Sequence, residues 1–209
     1  MASFQDMLQQ VFRAAHFPVD EYAPAHWNLD QNMIGELRVL PYIDQWKLAL
    51  KEKWFHIKME DHSLFVFNNT TNEPSYQYLQ SPLALESFRI FLLKKGLQYN
   101  KRNKAEYAAD YEFSFDTASL KDNLTPIRYD VDKQAYKAGW HPMAHLHIGL
   151  DNGIRIALRR KLSPLAFSLF VMRHMYPESW VRLLPFSDQF KLRRVVRETL
   201  HKRPSCSAI

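Results

Sequence analysis

The sequence predicts an α+β fold, a mainly antiparallel sheet with one apolar face covered by helices. Three observations carry that reading. Several short runs alternate apolar and polar residues, as half-buried strands do. Two runs opened by Ser-Pro, at 81 and 163, carry apolar residues at helical density. The 209 residues, 46% of them hydrophobic and 14% aromatic, suffice for one sizeable core.

In chain order, residues 3–15 place apolar side chains at 4, 7, 8, 11 and 12, helical spacing behind a serine cap. Residues 17–32 read as loop. "NMIGELRVLPYIDQWKLAL" fits either a helix or a short pair of strands. Residues 53–68 alternate well enough for two strands turning near Glu60-Asp61, and "SYQYLQ" is a further strand. In "SPLALESFRIFLLKKG", Ser81 caps the free amides, Pro82 suits the first helical position and Gly96 follows a basic last turn. "NKRNKAEYAAD" reads as a polar connector. "YEFSFDT" and "PIRYDVD" alternate as strands, the first turning Glu112, Ser114 and Asp116 to a polar face and the second Arg128, Asp130 and Asp132.

The segment "HPMAHLHIG", residues 141–149, begins a hairpin. A three-residue Asp151-Asn152-Gly153 loop sorts its side chains: Leu150 pairs with Ile154 and Leu146 with Leu158 on one side. Gly149 pairs with Arg155, His147 with Ala157 and His145 with Arg159 on the other. "SPLAFSLFVMRHMY" is a buried helix, apolar nearly all round, with His174 a core residue. "SDQFKLRRVVRETLHKR" is a final amphipathic helix with Lys191, Arg193, Arg194 and Arg197 outside, and 204–209 form a flexible tail. His56 and His62 read as strand-surface residues.

The whole of 1–209 is read as one domain. Two segments share the order histidine, strand, turn, strand, Ser-Pro-Leu-Ala, with the Ser-Pro pairs 82 residues apart. A strand-strand-helix pseudo-repeat would divide the domain into lobes 1–100 and 101–209.

Composition excludes several classes. No basic stretch with a following apolar run marks a signal peptide, and no window supplies an apolar membrane span. The one cysteine, Cys206, excludes an internal disulfide and a cysteine-rich zinc site. The expected location is therefore cytoplasmic. There is no glycine-rich phosphate loop and no G-x-S-x-G nucleophile. Net charge is +6, unevenly placed: residues 151–209 hold twelve Lys/Arg against four Asp/Glu. That asymmetry points to a polyanion, or to an acidic protein partner.

One polar sheet face thus gathers Arg128, Asp130, Asp132, His145, His147, Arg155 and Arg159, and three chemistries can use it. Metal-assisted hydrolysis would take His145, His147 and Asp130 as ligands for manganese or zinc, because His-x-His on a strand points both rings one way. Metal-free phosphodiester cleavage would use one histidine as base and the other as acid, with the arginines stabilising phosphorane charge. A solvated or binding face without catalysis is the third.

At these residues the chain resembles an uncharacterised bacterial family of unknown function. The pattern is "RYDVD" at 128–132 and "HPMAHLHIG" at 141–149, then Arg155, "LSP" at 162–164 and "YP" at 176–177. The resemblance spans the C-terminal half and implies no activity; such proteins look like members of phage-defence and mobile-element neighbourhoods. Two-histidine phosphoesterases need two H-x-T/S motifs that are missing here. Histidine-triad hydrolases need a histidine where Gly149 stands. The expected function is a small nuclease or phosphodiesterase centred on Asp130, Asp132, His145 and His147, with Arg128, Arg155 and Arg159 on phosphate. The alternative is a non-catalytic subunit whose Lys191, Arg193, Arg194 and Arg197 bind nucleic acid or a partner in a larger complex.

Overall fold

A computed structural model describes residues 4–23, 30–69, 72–138, 140–150 and 154–186. Its strands are β1 (Val19–Tyr22), β2 (Ile57–Met59), β3 (Leu64–Asn68), β4 (Ser75–Leu79), β5 (Ile127–Val131), β6 (Ala144–Ile148) and β7 (Ile154–Ala157). They form one open antiparallel sheet in strictly sequential order. The helices are α1 (Phe4–Ala14), α2 (Gln31–Val39), α3 (Tyr42–Lys51), α4 (Phe88–Lys94), α5 (Lys101–Glu106), α6 (Ala108–Thr117), α7 (Pro164–Met175) and α8 (Pro177–Leu183). The architecture is α+β, and no helix among the described residues is long and apolar enough to cross a membrane.

Alternation along the strands gives the sheet two unlike faces. On the first, Phe65, Phe67, Tyr76, Tyr78, Tyr129 and Leu146 are buried beneath α1, α7 and α8. Phe167 of α7 meets the rings of Phe65, Phe67 and Tyr76. Aromatic edge-to-face packing of this kind adds to simple burial. On the second face, Leu64, Val66 and Leu79 lie against Trp46 and Ala49 of α3, with Phe115 of α6 at the margin. Helices therefore cover both faces over β3 and β4. Farther along, at β5 to β7, the second face turns polar. Under β1 and β2 it borders a cavity of about 790 Å³ lined by Lys58, His62, Arg89, Tyr99, Tyr111 and Phe115.

Several expectations need correction. "YEFSFDT" is helix α6, not strand, because Tyr111 and Phe115 stand four residues apart on one helical face and close on His62. Glu112, Ser114 and Asp116 therefore leave the sheet's polar face. Ser81 opens no helix. It is fully buried in an extended segment, and Ser87 caps α4 by accepting from the Ile90 N–H at 3.3 Å. Gly96 does end that helix, at φ +74°. The two Ser-Pro segments keep a strand-strand-helix order but differ at this joint. The ambiguous 32–50 stretch is helical on both sides of Pro41, and the connector at 101–110 is helical too. Residues 19–22, read as loop, form the edge strand β1.

His56 and His62 are buried, whereas His174 is exposed, resting on Phe170 at 4.6 Å between ring centres. The β6–β7 register also differs: Ile148 pairs with Ile154, Leu146 with Ile156, His147 with Arg155 and His145 with Ala157. The shift from the expected pairing is two residues, so every side chain keeps its face. The tip at 151–153 lies outside the described residues, as do the helix expected at 187–203 and the 204–209 tail.

Candidate metal centre on the sheet

Two rows of side chains cross four strands of the second face. Ser75, Asp130, His145 and Ala157 lie opposite one another in turn, as do Gln77, Arg128, His147 and Arg155. Cross-strand neighbours on one face stand within side-chain reach. The site is thus a product of register: one slipped residue would send both histidines into the aromatic core.

His145 and His147 are 2% and 3% exposed, while Asp130 and Arg128 keep part of their surface in water. The two Nε2 atoms face each other at 3.0 Å, and Asp130 Oδ2 lies 3.5 Å from that of His147. One ligand atom from each of Asp130, His145 and His147 falls within 4.8 Å of the others. For metal–ligand bonds of ~2.0–2.1 Å, tetrahedral neighbours stand ~3.3 Å apart. The observed separations bracket that value.

The surroundings fix the ligand atoms. The Pro142 carbonyl accepts the Nδ1–H of His145 at 2.9 Å, which leaves the Nε2 lone pair turned inward. A backbone carbonyl on the far nitrogen is the usual support of a metal-bound histidine. Without a cation, His147 must donate Nε2–H across the 3.0 Å gap. Burial lowers the pKa of His145, and Arg155 and His141 push the same way against the Pro142 bond and Asp130. A neutral imidazole results, competent to ligate a metal or accept a proton. Asp130 Oδ1 accepts from Ser75 Oγ at 2.8 Å and Oδ2 from Arg128 Nε at 2.7 Å. Each oxygen retains a lone pair.

The other expected residues divide. Arg155 stands beside His147 on the exposed strand β7, and Arg159 is exposed beyond the strand. Asp132 does not join the cluster: its Oδ1 accepts the Ala135 N–H at 2.8 Å and holds a turn. Lys191, Arg193, Arg194 and Arg197 lie outside the described residues. Two further groups border the site. Ser75, a serine in an ordinary strand, carries no sequence signal. His141 meets the His145 ring at 5.1 Å between centres, and its Nε2 is shielded from water with no hydrogen-bond partner among the described residues. An orphaned buried nitrogen is uncommon, and this one belongs to a ring that lies against His145 of the cluster.

No curated protein and no solved structure matches this chain. The resemblance first visible in the C-terminal half extends through nearly the whole chain. The model of a family described as an uncharacterized conserved protein, DUF2290, matches residues 13–206, and the chain belongs to that family.

Proposed function

We propose that this protein is a divalent-metal-dependent phosphodiester hydrolase acting on nucleic acid, with Asp130, His145 and His147 as the ligands of zinc or manganese. The observation that carries the reading is the convergence of two Nε2 atoms at 3.0 Å beside the Asp130 carboxylate, with one ring's tautomer set by a backbone carbonyl. Three protein ligands leave positions open for water and substrate. A cation held there would supply Lewis acidity and a nucleophile at neutral pH. Arg155 meets the substrate phosphate from β7, next to His147. Arg128 orients Asp130 and adds positive charge at the same rim. The net +8 of residues 151–209 would draw a polyanion to the chain.

One contact favours a metal-free version. Arg128 already holds the Asp130 oxygen nearest His147, an arrangement that would steady a His147–His145 acid–base pair.

The test combines elemental analysis with cleavage of labelled RNA and DNA, with and without manganese or a chelator. About one metal ion per chain is expected, and both metal and cleavage should be lost in Asp130→Asn and His147→Ala. Cleavage that survives chelation but not His147→Ala would select the acid–base version. No metal and no cleavage, with nucleic-acid affinity unchanged in His147→Ala, would leave a binding subunit and sink the proposal.

A further inference from the structure

The loop between β5 and β6 presents large side chains to solvent where a folded chain ordinarily hides them. Trp140 is 88% exposed, Tyr136 54% and Met143 40%. This is not a loose excursion. The Asp132 carboxylate pins the start of the loop, and Lys137 and His141 exchange backbone hydrogen bonds of 3.0 and 2.8 Å across it. Trp140 N–H donates to the Lys137 carbonyl at 2.9 Å. The same loop reaches the centre, since Pro142 sets the His145 tautomer and His141 lies against the His145 ring.

We infer that this loop is a base-stacking platform that selects single-stranded nucleic acid and leads it to the Asp130–His145–His147 centre. The inference rests on reading that centre as one that processes phosphodiesters. Its chemistry is that of single-strand recognition, aromatic faces interleaved with cations. Lys133 and Lys137 are exposed on the loop, and its only acid, Asp132, is engaged in the turn. Arg128 and Arg155 continue the positive charge on the sheet. Exposed indole and phenol rings gain from bases that are free to unstack, whereas a duplex offers them only its backbone. Trp140 directly precedes His141, whose ring meets that of His145, so a base stacked on the indole brings its strand toward the centre.

The test measures fluorescence anisotropy of a labelled 12-nucleotide RNA or DNA, single-stranded or as a duplex, using Asp130→Asn protein so that turnover is silent. Single strands should bind at least about tenfold tighter than duplex, with Trp140→Ala removing roughly tenfold of that affinity and Trp140→Phe keeping most of it. Duplex binding should be unaffected, and metal content of Trp140→Ala in the otherwise unaltered chain should match the parent. Trp140 is too exposed for its loss to unfold the chain. Equal affinity for single strand and duplex, indifference to Trp140, or a Trp140-dependent association with protein in place of nucleic acid would overturn the inference. Trp140-dependent single-strand binding without metal or cleavage would instead uphold the platform and reject the hydrolase.

Discussion

Replacing His62 with asparagine should remove a defined part of the protein's acid sensitivity. His62 is buried at the β2–β3 turn with φ +65°, a conformation asparagine tolerates. Tyr111 donates its hydroxyl hydrogen to the Glu86 carbonyl, so it accepts from His62 Nε2–H at 2.6 Å. Burial, then the charge of Lys58, lowers the His62 pKa to about 4 from an ordinary 6.5; Asp61 and Asp20 oppose the shift, and Lys121 adds to it. The unfolded chain therefore takes up the proton first as the pH falls. Stability is complete above about pH 6.5 and drains away toward pH 4. At ~1.36 kcal/mol per pH unit, the loss attributable to this ring is about 2 kcal/mol at pH 5. Urea unfolding of both proteins at pH 7 and pH 5 isolates it, because contributions from His145 and His174, whose pKa values are also lowered, are common to both. The variant will be weaker at pH 7 for want of the Tyr111 bond, but its decline to pH 5 should be shallower by about 2 kcal/mol. Equal declines within about 0.5 kcal/mol would refute the argument.

Ser75→Ala removes the donor on Asp130 Oδ1 and should weaken zinc binding roughly ten- to a hundredfold in a chelator competition; unchanged affinity would show that the serine does not position the carboxylate. Phe67→Ala empties a site ringed by Phe4, Phe65, Tyr76 and Phe167 and should cost about 3–5 kcal/mol in urea unfolding, whereas a loss below about 1 kcal/mol would mean that the aromatic layer carries little of the stability.

Much of the sheet was legible because alternation has only two phases. In "RYDVD" the buried and half-buried positions alternate as the pattern demands; in "AHLHI" the alternation sets both histidines on the face of Asp130, although they are as buried as their apolar neighbours. Even the shifted hairpin register left His145, His147 and Arg155 on their expected face. What alternation cannot settle is a run of aromatics that satisfies both periods. Tyr111 and Phe115 are two steps of a strand and one turn of a helix, and only the surface offered by His62 and Phe88 decides between them. Short edge strands hide for another reason. In β1, "VDEY" is half-buried throughout and shows no contrast. The α4 boundary misled because two serines six residues apart both suit a cap, and burial of Ser81 excludes it. Within the site, the His-x-His pair was visible from spacing. The parts played by Ser75 and His141 depend on distances that spacing does not encode.

The sequential strand order also bears on how the chain assembles during synthesis. Each strand finds its partner in the strand made just before it, so the sheet can grow in the order of synthesis, pausing only for the helices between β1 and β2 and between β4 and β5. Its cover cannot. The layer over the first face joins α1, near the start of the chain, to α7, which begins at residue 164. Until α7 emerges, Phe65, Phe67 and Tyr76 lack the ring of Phe167 above them. A nascent chain halted in that interval would display an aromatic surface covered only in part, by Phe4 and Phe12 of α1, the kind that aggregates or recruits chaperones. Asp130, His145 and His147 are already synthesised by then, so the slowest step in maturation should be closure of the face opposite them.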